Sequence, residues 1–101
     1  VLMVSSVSGK TGFPFVGAYA ASKHALEGAS ESLRRELMFD GLDVILLCPG
    51  AIRTPIWNKY SLDRFAQGRY AKPLAALNAE MQRMASAGLA VEEIGELVAR
   101  I

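Results

Sequence analysis

The sequence predicts an α/β fold in which parallel strands are joined by a helix. Three observations predict it. Two short apolar runs, Val1-Leu2-Met3-Val4-Ser5-Ser6 and Val44-Ile45-Leu46-Leu47-Cys48, are continuous rather than alternating, as strands of a sheet covered on both faces are. A long stretch of helix formers, residues 18–39, separates them. The order strand, helix, strand fits a parallel crossover, which is right-handed almost without exception.

Residues 1–6 read as the first strand. Residues 7–17 read as a loop carrying Gly9, Gly12, Pro14 and Gly17, with Phe13 and Phe15 on either side of Pro14. The two phenylalanines either line a substrate pocket or pack the loop down. In the helix, Ala18, Ser22, Ala25, Ala29, Leu33 and Leu37 recur at steps of three and four, the spacing of one helical face. Small residues crowd its first half (Ala20, Ala21, Gly28, Ser30) and permit close packing on both sides. The charges of residues 31–36 read as a solvated face, and Gly41 is placed to end the helix. Residues 43–48 form the second strand, which Pro49 and Gly50 break.

The remainder is helical with an aromatic lead-in. Pro55 opens a segment with Trp57, Tyr60, Leu62, Phe65 and Tyr70; Pro73 and a run of helix formers follow. Leu74, Leu77, Met81 and Met84 make a stripe that reads first as core and second as a substrate wall. Gly88 closes this helix. Val91–Val98 begins another, with Glu92 and Glu93 suited to its first turn.

Composition narrows the function classes. Of 101 residues, 51% are hydrophobic, which suits a buried core rather than a disordered tail. Eleven basic and ten acidic residues give a net charge of +1 without blocks of one sign, so nothing points to nucleic acid or an anionic membrane. No apolar run approaches the ~20 residues of a membrane span. Cys48 alone makes neither an internal disulfide nor a cysteine metal site; it reads as a buried, inert thiol at a strand end. His24 forms no metal cluster and reads as structural or surface.

The chemistry concentrates in residues 6–23. Tyr19 and Lys23 are four apart on a helix, so both lie on one face. A phenol with a pKa of about 10 is a poor proton donor or acceptor near neutrality, and a neighbouring ammonium favours its charged form. General acids and bases work best near the working pH. Ser6, at the tip of the first strand, adds a hydroxyl for an oxygen that gains charge. Ligands of open parallel sheets bind outside the carboxyl ends of the strands. Ser6 and the Pro49-Gly50 break both fall at that edge.

These motifs resemble the short-chain dehydrogenase/reductase family. Val4-Ser5-Ser6-Val7-Ser8-Gly9 resembles its active-site strand end, Tyr19-Ala20-Ala21-Ser22-Lys23 its Tyr-x-x-Ser-Lys helix start, and Pro49-Gly50-Ala51-Ile52-Arg53-Thr54 its Pro-Gly-x-x-x-Thr element. Tyr19 follows Ser6 by thirteen positions, as in the family, and this step selects Ser6 over Ser5 and Ser8. The likeness runs to about Pro55 and more loosely to Ile101. It implies a Rossmann-type, doubly wound parallel sheet, of which this is the C-terminal portion. The active-site strand and helix are expected in 1–40, the cofactor and substrate loop with its helices in 41–101, all within one NAD(P)-binding domain. The Gly-rich dinucleotide turn and the family's active-site asparagine have no counterpart in these 101 residues, which reads as a piece of a larger enzyme.

The resemblance implies an oxidoreductase that interconverts an alcohol and a ketone or aldehyde with NAD or NADP. Ser6, Tyr19 and Lys23 would be catalytic. Tyr19, Lys23, Pro49, Gly50, Ile52 and Thr54 would face the cofactor, Ile52 through its backbone. Phe13, Phe15 and Trp57 would line the substrate site, and the aromatic and methionine content suits a lipophilic small molecule. The helix at 33–37 and the loop at 53–55 are similar to those of relatives acting on steroids or retinoids. Arg53 reads as a solvated arginine rather than a phosphate contact. A cytoplasmic homodimer or homotetramer is the expected assembly. Two other readings stay open: a non-catalytic module of the same fold, and an epimerase or dehydratase that shares Tyr-x-x-x-Lys. A serine hydrolase is set aside, because Gly-x-Ser-x-Gly is absent.

Overall fold

The structure is a computed structural model that describes residues 1–59 and 66–101. Tyr60, Leu62 and Phe65 of the aromatic segment lie outside the described residues. Two compact units divide the chain, Val1–Gly50 and Ala51–Ile101.

In the first unit, β1 (Leu2–Val4) and β2 (Ile45–Leu47) pair in parallel, with Leu2 opposite Ile45, Met3 opposite Leu46 and Val4 opposite Leu47. Helix α1 (Gly17–Leu37) connects them, giving the expected strand–helix–strand order. Both strands are shorter than their apolar runs. The pairing nevertheless continues past the strand ends: Ser5 N–H donates to the Leu47 carbonyl at 2.8 Å and Val7 N–H to Pro49 at 3.1 Å. A 3₁₀ turn at Val7–Gly9 follows β1. Another, Met38–Asp40, ends at Gly41, whose φ of 70° is the left-handed geometry that glycine adopts without steric cost. Arg34 and Arg35 stand in the last turn of α1, where positive charge complements the helix dipole.

The buried side of α1 corrects the sequence reading. Ala20 and Ser30 are buried and Lys23, Leu26, Glu27, Leu33 and Leu37 half-buried, whereas Ala18, Ser22, Ala25 and Ala29 are exposed. Small residues present too little apolar area to choose a side. The leucines present more, and Leu26, Leu33 and Leu37 with Ser30 set the face at steps of three and four.

The second unit holds a 3₁₀ turn (Pro55–Lys59) and helices α2 (Ala71–Ala87) and α3 (Val91–Ala99). Pro73 lies in the first turn of α2, where its missing N–H leaves no helical bond unmade. Leu74, Leu77 and Met81 are half-buried as their stripe predicts, and Ala85 is buried; Met84 is exposed. Gly88 ends α2 with extended backbone rather than a left-handed cap. The reason for a glycine is space: a Cβ there would stand 2.6 Å from the Ala51 carbonyl oxygen. Residues 51–53 pair with Leu89 through Leu89 N–H to the Ala51 carbonyl (3.1 Å) and Arg53 N–H to the Leu89 carbonyl (2.9 Å). At the start of α3 the Glu93 carboxylate accepts the Ala90 N–H at 2.7 Å, satisfying a donor the helix leaves unpaired.

Candidate active site

Tyr19 and Lys23 occupy the first two turns of α1, and the helix brings them together. The Lys23 ammonium lies 5.7 Å from the centroid of the Tyr19 ring, within cation–π range. Lys23 Nζ also donates to the Val4 carbonyl at 3.3 Å. The pair is therefore anchored at the carboxyl end of β1, the edge the sequence selects. Tyr19 is 46% exposed.

Ser6 stands two residues beyond Val4 with extended backbone and caps the 3₁₀ turn, its Oγ accepting the Ser8 N–H at 3.2 Å. A hydroxyl that accepts in this way keeps its own O–H to donate. That is the polarity needed to hold a carbonyl or alkoxide oxygen. Pro49, half-buried at the end of β2, accepts the N–H of Val7, the residue after Ser6, and Gly50 beside it is exposed. The strand-end residues Ser6 and Pro49 are thus tied through one backbone bond.

Ile52 and Thr54 belong to the second unit. The Ile52 carbonyl accepts the Trp57 indole N–H at 2.7 Å. Trp57, half-buried, props the backbone of the Ile52 loop. Arg53 is exposed, as read from the sequence, and its guanidinium also donates to the Gly88 carbonyl at 2.6 Å, which holds the loop to the end of α2. Thr54 is half-buried. Phe13 and Phe15 are exposed at 42% and 49%. Phe15 has φ 65°, left-handed backbone that costs a bulky L-residue about 1–2 kcal/mol.

A second polar group surrounds Glu27, one turn beyond Lys23. Its carboxylate pairs with Lys10 and accepts from Ser5 Oγ at 3.3 Å and Cys48 Sγ at 3.6 Å. The Lys10 bond, chiefly, holds the Glu27 carboxyl below the usual range, and the same bond raises Lys10. Cys48 is half-buried rather than buried, and its desolvation, then the Glu27 charge, pushes the thiol up. An open cavity of about 270 Å³ lies alongside, lined in part by Lys10, Glu27, Glu31, Arg34, Val44 and Leu46. Ser6, Tyr19 and Lys23 do not line it. His24 Nδ1 lies 2.8 Å from the Ala20 carbonyl, a local helix contact. Among the described residues no His, Cys, Asp and Glu are grouped to hold a metal.

Comparison with known proteins places the chain in a family. The short chain dehydrogenase model matches residues 1–64. The chain belongs to the short-chain dehydrogenase family. An uncharacterized oxidoreductase of Bacillus subtilis strain 168, YusZ, is 52% identical over 65 residues, 64% of this chain and 23% of the relative. The NADPH-dependent 3-dehydrocapnine reductase of Ornithobacterium rhinotracheale is 36% identical over 96 residues, 93% of this chain and 34% of the relative. A short-chain dehydrogenase/reductase from Burkholderia phymatum, solved in complex with NAD, shares the fold with a TM-score of 0.61 and 30% identity, over 86% of this chain and 33% of that one. The chain thus spans only 23% to 34% of the length of these relatives. Its α/β fold is the corresponding part of a doubly wound parallel sheet, and the family is one of oxidoreductases. Among the described residues no helix is long and apolar enough to cross a membrane.

Proposed function

We propose that the protein carrying this chain is an NAD- or NADP-dependent oxidoreductase that interconverts an alcohol and a ketone or aldehyde on a lipophilic small molecule. The observation that supports it most is the Lys23 ammonium, set over the Tyr19 ring and bonded at the strand end. The donors fit a nicotinamide dinucleotide. An ammonium carries three N–H donors; one reaches Val4, and ribose hydroxyls suit the others. The exposed backbone of Gly50 and the Trp57-supported loop at Ile52 and Thr54 suit the nicotinamide end. Relatives solved with NAD or named NADPH-dependent support that class of cofactor.

When bound, the nicotinamide supplies the hydride exchange. In oxidation, Tyr19 takes the proton of the substrate hydroxyl; in reduction it returns a proton to the new alkoxide. Lys23 stabilises the charge that develops on the phenolic oxygen and holds the ribose. Ser6 donates its O–H to the substrate oxygen, where charge changes most between ground and transition state. Phe13 and Phe15 offer exposed apolar surface to the substrate.

Lys23→Ala in the whole protein tests this assignment. Cofactor affinity, followed by nicotinamide fluorescence, should fall about tenfold, the worth of one good charged hydrogen bond, and turnover should fall further. Unchanged affinity would remove the ribose contact and the basis for the cofactor class.

A further inference from the structure

Tyr19, Lys23 and Glu27 succeed one another at four-residue intervals along α1. The second and third both reach the carboxyl end of β1: Lys23 bonds the Val4 carbonyl and Glu27 the Ser5 hydroxyl. Ser5 is buried and immediately precedes Ser6. Glu27 also reaches the end of β2 through Cys48 and the segment after the 3₁₀ turn through Lys10. One half-buried carboxylate therefore gathers donors from three separate pieces of chain that frame Ser6. The turn itself is shaped to this carboxylate. Gly9 is buried, and a Cβ on it would run into Glu27 Oε1 and stand 2.6 Å from Ser5 Oγ.

We infer that Glu27 is a positioning residue: it fixes the strand end and turn that carry Ser6 against the helix that carries Tyr19. The inference rests on the proposed roles of Ser6 and Tyr19. A single helix face then performs two tasks. Its first turns present the proton-transfer pair, and its third turn sets the distance to the hydroxyl that must meet the same substrate oxygen. Reactions of this kind lose rate steeply when groups are displaced by an ångström. The carboxylate itself touches no reacting atom.

Kinetics of the whole protein carrying Glu27→Ala, Glu27→Gln, Ser5→Ala and the Glu27→Ala/Ser5→Ala pair test the inference, with Tyr19→Phe in parallel. Glu27→Ala should lower kcat about tenfold to hundredfold, with cofactor affinity held within about twofold. Glu27→Gln keeps an acceptor for Ser5 and should recover part of the loss. Ser5→Ala should lose part of the rate by itself, and the double variant should fall short of the product of the single effects, because both changes break one contact. Should Glu27→Ala not accumulate as folded protein, Ser5→Ala and Glu27→Gln decide the matter by the same readouts. A kcat within about twofold of the unaltered protein in the folded variants, or fully multiplicative effects, would overturn the positioning role. If that happens while Tyr19→Phe is inactive, only the role of Glu27 fails. Turnover retained in Tyr19→Phe would instead remove the proposed function beneath it.

Discussion

The two halves of the chain hold the residues proposed for function by different means. In Val1–Gly50, side chains of one helix reach out to strand ends and the turn between: Lys23 to Val4, and Glu27 to Ser5, Cys48 and, just after the 3₁₀ turn, Lys10. In Ala51–Ile101, the 51–54 loop is held by its backbone. It pairs with Leu89, lies so close to Gly88 that a Cβ there would meet Ala51, and is braced by Arg53 and Trp57. The contrast follows the chemistry proposed for each. A proton-transfer group must be placed to a fraction of an ångström by its side chain, so its neighbours lock side chains. A loop that meets a cofactor with main-chain groups needs its backbone fixed, and side chains there serve as props.

Breaking the second half should therefore take a backbone clash. Gly88→Ala sets a Cβ against the Ala51 carbonyl, an atom that cannot move without displacing the loop. Overpacking of this kind costs about 1–3 kcal/mol. The urea midpoint should fall with the slope of the transition unchanged. An unaltered midpoint would show that the loop gives way freely and that the 51–53 pairing holds little. The side-chain ties of the first half are sharpened by a smaller effect, read as a pH dependence. Glu27 titrates below its ordinary 4.5 and Lys10 above its ordinary 10.5. The sign follows for each. Glu27 stabilises the fold fully above 4.5, and this is lost as pH falls through its lowered value; Lys10 does so below 10.5, and this is lost as pH rises through its raised value. Glu31 and Cys48 also face the pair. The difference in urea midpoint between the native protein and Glu27→Gln should hold between pH 4.5 and 10.5 and shrink below pH 4.5. A difference that persists undiminished into acid would mean that the ion pair is not its source.

The same contrast explains what could be read from residues alone. The strand–helix–strand order was legible because continuous apolar runs mark parallel strands and Gly41 marks a helix end, but the expected covering of both sheet faces is not met: Leu2–Val4 and Ile45–Leu47 are half-buried or exposed. The nearness of Tyr19 and Lys23 was legible because helical spacing places them on one face; the role proposed for them came from the family resemblance, not from that spacing. The buried side of α1 was not, since Ala18, Ala25 and Ala29 look as suited to packing as Ala20 and Ser30. Glu27 was hidden for a stronger reason. A lone glutamate on a helix normally faces water, and its partners Ser5, Lys10 and Cys48 lie seventeen or more residues away along the chain. Only folding discloses that they converge. Arg53 and Gly88 were missed likewise, being thirty-five residues apart. A glycine that also closes a helix gave no separate signal of the close approach it permits.

The account depends above all on Tyr19 as the group that moves the proton. Tyr19→Phe keeps the ring beneath the Lys23 ammonium and deletes only the phenolic oxygen. Steady-state turnover of this variant in the whole protein, beside its cofactor binding, is the most direct measurement. Loss of turnover by about 10²-fold or more with cofactor binding intact is the predicted result; turnover equal to that of the unaltered protein would contradict it.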